Sequence, residues 1–184
     1  MEYLNSEDYL NNNGVRNIDN TEYKDYNCGG YALKTFSWYH PYKFFAWEYI
    51  EKLLDDGYDC NEIVDRILQL SCDNMLEDFG SKIRLIDYTD HDRGDAIEKK
   101  LLAQLHTNEE LIAFRIGLEI DDTRMYEDEA VVEDYDFHYR VYRNGCWQEK
   151  IGNGMIGYCD FTEDIWDGYC TYDSPIYYFA MKVA

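Results

Sequence analysis

The stretch FHYRVYRNGCWQEKI, residues 137–151, leaves its backbone little choice. Asn144-Gly145 is the pair favoured in a two-residue type I′ turn, where both central residues take positive φ, and aromatic and β-branched residues flank it. The spacing predicts a hairpin whose register follows from the turn: Arg143 opposite Cys146, Tyr142 opposite Trp147, Arg140 opposite Glu149 and His138 opposite Ile151. Because strand side chains alternate between faces, His138, Arg140, Tyr142, Trp147, Glu149 and Ile151 share one face. Glu149 then lies diagonally beside His138.

An isolated hairpin is marginal in water, so the rest of the chain must cover it. KIRLIDY (82–88), EELIAFRIGLE (109–119) and SPIYYFAMKV (174–183) read as strands, the last as an interior one because it alternates little. FFAWEYIEKLLDDG (44–57) and CNEIVDRILQLSCDNMLEDFG (60–80) each carry apolar residues on one helical face and close on glycine, and RGDAIEKKLLAQL (93–105) reads as a further helix. A helix starting near Cys28 is expected to run toward HPY at 40–42, where Pro41 pushes His40 out of the α region. Residues 1–24 form a polar, Asn-rich lead-in, and the acid-rich segment 120–136 reads as a loop or solvated edge. The expectation is one α+β domain over 1–184, mainly helical over 25–80 and mainly antiparallel sheet over 81–184, with no repeat or linker.

Charge narrows the partners. With 17 Lys+Arg against 38 Asp+Glu the net charge is −21, which repels nucleic acid and anionic membrane and favours a peptide or protein of basic character. An aromatic content of 17% excludes a disordered acidic chain. The opening MEYLNSEDYL lacks the basic and apolar regions of a signal peptide, and no stretch reaches the ~20 apolar residues of a membrane span, so a cytoplasmic protein is expected. Cys28, Cys60, Cys72, Cys146, Cys159 and Cys170 form no C-x-x-C pair, which reads as reduced thiols without zinc. The acidic segment lacks the glycine of a calcium loop, so neither metal nor cofactor is expected.

DYNCGGYALKTF, residues 25–36, sets Cys28 at a helix start, where unpaired N–H groups favour a thiolate nucleophile. His138 is the candidate base and later acid, and Glu149 the group that orients its ring. Gly29 and Gly30 leave first-turn amides for an oxyanion.

NCGGYAL followed by DFHYRVYRNGCWQEKIG resembles a group of phage and bacterial papain-like cysteine hydrolases related to the NlpC type. Asn27, Cys28, Tyr31, Ala32 and Leu33 match the first block of that pattern. Asp136, His138, Tyr139 or Tyr142, Arg140, Gly145, Trp147, Lys150 and Gly152 match the second. Glu149 stands where the pattern has histidine, and Ile151 where it often has proline. The resemblance implies a papain-like fold in which the Cys28 helix packs on an antiparallel sheet bearing His138. It also implies amide or isopeptide cleavage through a thioester, with Asn27, Gly29, Gly30 and Trp147 on the oxyanion and substrate side. Asp160 is a second candidate for orienting His138. A different class of function stays open: an acidic inhibitor, similar to some anti-CRISPR proteins, that occupies a basic nuclease or other nucleic-acid-binding protein. It would act through a face built from Asp121, Asp122, Glu127, Asp128, Glu129, Glu133 and Asp134, in the host cytoplasm if phage-encoded.

Overall fold

The computed structural model describes residues 17–19, 25–42, 46–89, 95–121, 131–150, 154, 156–159, 166–167 and 171–183. The strands among them are β1 (Asn17–Asp19), β2 (Ile83–Thr89), β3 (Glu109–Asp121), β4 (Val131–Arg143), β5 (Cys146–Lys150), β6 (Ile156–Tyr158), β7 (Trp166–Asp167), β8 (Thr171–Tyr172) and β9 (Ile176–Lys182). The α-helices are α1 (Cys28–Ala32), α2 (Ala46–Asp55), α3 (Cys60–Phe79) and α4 (Asp95–Leu102). Seven strands form one antiparallel sheet in the order β1-β6-β5-β4-β3-β9-β2, and β7 and β8 pair separately. The protein is therefore α+β, and β9 lies inside the sheet, between β3 and β2.

The β4–β5 hairpin takes the expected register, Arg143–Cys146, Tyr142–Trp147 and Arg140–Glu149. Asn144 and Gly145 have φ of 56° and 81°, the left-handed pair that a type I′ turn needs. β3 reaches Asp121 and β4 starts at Val131, so residues 120, 121 and 131–136, expected in a loop or solvated edge, are strand, and 122–130 lie outside the described residues. The pairs Glu119–Asp134 and Ile120–Val132 leave Glu133 as an extra residue, so Val132 and Tyr135, three apart, both turn to the core.

α1 is only five residues long and does not reach Pro41. Gly30 O accepts from both Thr35 N–H (3.1 Å) and Phe36 N–H (3.2 Å), and Lys34 and Phe36 take φ of 55° and 49°. The chain is thus reversed just after the helix. α3 is set by a capping box: Asp59 Oδ1 accepts from Glu62 N–H at 2.9 Å, and Glu62 Oε2 accepts from Asp59 N–H at 3.0 Å.

Alternation divides the sheet into two faces. One carries Ile112, Phe114, Phe137, Tyr139, Val141 and Phe179 against Ile50 and Leu53 of α2, Ile63 and Ile67 of α3, and Cys28 and Ala32 of α1. The opposite face packs Leu111, Ala113, Trp147 and Tyr178 with Leu101 of α4, Trp166 and Tyr172. Among the described residues no helix is long and apolar enough to cross a membrane. Of the polar lead-in, residues 17–19 form β1, paired to β6.

Candidate active site

Asn27 caps α1 and ties its start to the loop that follows. Its Oδ1 accepts from Gly30 N–H (2.9 Å) and Tyr39 N–H (3.1 Å), and its Nδ2 donates to Tyr39 O (2.8 Å). The two glycines are demanded by packing. A Cβ on Gly30 would stand 1.9 Å from the Ser37 carbonyl oxygen, and one on Gly29 would stand 3.1 Å from both Tyr139 Cε2 and Tyr39 O. With its N–H committed to Asn27, Gly30 is not the oxyanion donor that the sequence suggests. The amides of Cys28 and Gly29 have no hydrogen-bond partner among the described residues. A helix of five residues also carries little macrodipole, so the chemistry of Cys28 has to depend on its side-chain neighbours.

Cys28 is buried at 5% exposure, and its Sγ approaches the Phe137 carbonyl oxygen at 3.9 Å. Phe137 lies on the helix-covered face of β4, and His138, the next residue, turns to the other. There its Nε2 meets Glu149 Oε2 at 3.1 Å, and the same carboxylate oxygen accepts from Arg140 Nε at 2.9 Å. The ring stacks on Tyr172 at 5.3 Å and meets Trp166 edge-on at 6.0 Å. Among the described residues the β4–β5 pairs run from Arg143–Cys146 to Arg140–Glu149, and His138 and Phe137 lie two and three residues beyond Arg140 along β4. The Phe137 N–H donates to the Asp136 side chain at 2.8 Å.

Electrostatics joins the two sides. Burial pushes the His138 imidazole down, but the Cys28 sulfur, acting with the Glu149 carboxylate, outweighs it and raises the ring to about 9. Burial pushes Glu149 up, and Arg140 and His138 together bring it down to about 2. Glu149 binds Nε2, which leaves Nδ1 as the ring nitrogen for the sulfur. The structure thus brings Cys28, His138 and Glu149 into one electrostatic unit, with Asn27 holding the start of α1.

Other expected residues fall elsewhere. Trp147 is buried on the face opposite Cys28, with Nε1 donating to Glu98 Oε2 at 3.1 Å, so it does not line the cysteine side. Asp160, Asp122, Glu127, Asp128 and Glu129 lie outside the described residues. Asp121 ends β3 paired to Val131, Glu133 is the exposed extra residue of β4, and Asp134 accepts from the Tyr135 N–H at 2.8 Å. Tyr172 and Trp166, which enclose His138, escape motif reading because they come from the distant β7–β8 pair. Arg140 has a local signal, its place opposite Glu149 on the hairpin face. Among the described residues no cluster of three or more His, Cys, Asp or Glu could hold a metal ion. No protein-family model, no curated protein and no solved structure matches the chain.

Proposed function

We propose that this protein is a cysteine hydrolase of papain-like type that cleaves an amide or isopeptide bond. The observation that carries this reading is the Cys28 sulfur at the Phe137 carbonyl, close enough to raise His138, with Glu149 on Nε2 of the ring. His138, its imidazole raised to about 9 and its Nε2 held by Glu149, takes the thiol proton as the sulfur attacks. Sγ attacks the substrate carbonyl, the C–N bond breaks, and His138 gives its proton to the departing amine. Water, deprotonated by His138, then releases the acid from the thioester and restores the pair. The formal charge of −21 favours a substrate segment of basic character.

Iodoacetamide under native conditions at neutral pH, with alkylated peptides counted by mass spectrometry, tests the reading. Cys60 is exposed and Cys28 is buried, so packing alone makes Cys28 the slower of the two. Activation by His138 reverses that order, and His138→Ala restores it. Cys28 slower than Cys60 in the native protein refutes the proposal.

A further inference from the structure

Glu149 holds the His138 ring by one edge, at Nε2. The second torsion of a histidine side chain is broad, so a hydrogen bond at that edge leaves the plane of the ring to be set by its neighbours. Tyr172 lies against that plane. Its ring centroid is 5.3 Å from that of the imidazole, the two planes are 28° from parallel, and the side chain is buried.

The hydroxyl of the same residue reaches the cysteine side. Tyr172 OH donates to Asp136 Oδ2 at 2.6 Å, and Asp136 Oδ1 accepts from the Phe137 N–H at 2.8 Å. Phe137 is the residue whose carbonyl oxygen faces Cys28 Sγ at 3.9 Å, and His138 follows it in the chain. One tyrosine thus touches the imidazole with its ring and, through one carboxylate, the residue at whose carbonyl the sulfur sits.

Tyr172 is itself anchored from β3. Two residues on, the Ser174 N–H donates to Ile116 O (3.2 Å), its Oγ accepts from the Ile116 N–H (2.9 Å), and its carbonyl accepts from Arg115 Nε (2.7 Å). Arg115 and Ile116 are the β3 partners of His138 and Phe137. The clamp therefore sets β8 beside the two residues of β4 that the candidate chemistry uses.

We propose that Tyr172 is a positioning residue of the Cys28–His138 pair: its ring fixes the plane of the imidazole, and its hydroxyl, through Asp136, fixes the Phe137 backbone against which Cys28 rests. This rests on the hydrolase reading above. Tyr172 gives up no proton in the cycle; it keeps the imidazole aimed at Sγ, where a misplacement of about 1 Å can cost on the order of 100-fold in rate.

The test treats the full chain with iodoacetamide at neutral pH and reads Cys28 alkylation relative to the exposed Cys60 of the same sample. Tyr172→Phe keeps the ring and deletes the hydroxyl, and should slow Cys28 at least about threefold; Tyr172→Leu also deletes the stack and should slow it at least about tenfold. A loosened fold has the opposite sign, because it uncovers a buried thiol. In a His138→Ala background Tyr172→Phe should leave Cys28 unchanged, and Asp136→Ala with Tyr172→Phe should slow it no more than Asp136→Ala alone. Cys28 unchanged or faster in Tyr172→Phe, or slowed as much by it in the His138→Ala background, overturns the role of Tyr172. Should Asp136→Ala or Tyr172→Leu not fold, the two Tyr172→Phe comparisons decide. The hydrolase reading fails separately, if Cys28 of the native chain alkylates no faster than Cys60.

Discussion

Glu149→Gln removes one charge and almost no volume, so its effect isolates the electrostatics of the buried unit. The carboxylate is 7% exposed and receives His138 Nε2 at 3.1 Å and Arg140 Nε at 2.9 Å. A carboxyl group moved from its ordinary 4.5 to about 2 stabilises the folded state by roughly 3 kcal/mol. Breaking a buried pair by deleting one partner gives a similar figure, about 3–5 kcal/mol. The carboxyl is depressed on folding, so its contribution is complete above pH 4.5 and is lost as pH falls toward 2. His138 is raised, so its contribution is complete below pH 6.5 and is lost as pH rises through about 9. Cys28 is the larger cause of the rise at His138, so only the Glu149 part of it is lost in the variant, and that part draws on the same contact as the carboxylate's shift and is not added. The stability gap between the native protein and the variant should therefore be widest between pH 4.5 and 6.5 and narrow on either side. Urea denaturation across pH measures the gap directly, and a loss of about 3 kcal/mol lowers Tm by roughly 6–12 °C in a chain of this size. A gap under about 1 kcal/mol inside that window, or one independent of pH, refutes the reasoning.

Two further outcomes follow from the same structure. Gly30→Ala should yield no folded protein by circular dichroism and gel filtration, because its Cβ meets a backbone oxygen at 1.9 Å; Gly145→Ala, in open space at φ 81°, should cost only about 1–2 kcal/mol in urea denaturation. Arg84→Met should remove the hydrogen bond that, with other contacts, holds Glu109 at about 2, for a loss of about 1 kcal/mol at neutral pH, discounted because Arg84 is 36% exposed. That loss should fade as pH falls from 4.5 toward 2, and equal midpoints for the two proteins at neutral pH would contradict it.

The parts legible in the sequence are those set by neighbours in the chain. Asn144-Gly145 dictates its own φ values, and from them come the β4–β5 register and the place of Glu149 diagonally beside His138. The spans of α2 and α3 follow from apolar periodicity and a capping box. The end of α1 is not legible, because it depends on Gly30 O capturing the Thr35 and Phe36 amides and on Ser37 packing against a missing Cβ. The start of β4 is hidden by its charges, since Asp134 and Asp136 spend carboxylate oxygens on the backbone amides beside them while Val132, Tyr135 and Phe137 go inside. The commitment of the Gly30 amide to Asn27 likewise depends on three-dimensional closure that no motif spells out.

Strand alternation alone argues against a Cys28–His138 pair. Cys28 packs on the face of Phe137, and His138, being the next residue, points through the sheet to the opposite face. What joins them is the backbone of β4: the sulfur sits at the Phe137 carbonyl, one peptide from His138, and the imidazole on the far face lies within its electrostatic reach. The hairpin register does the rest: Glu149, paired to Arg140, meets His138 diagonally on the face away from the helices. The turn at Asn144-Gly145 sets the β4–β5 register and with it the carboxylate on the ring: a register shifted by one residue would turn Glu149 to the helix-covered face and take it off Nε2.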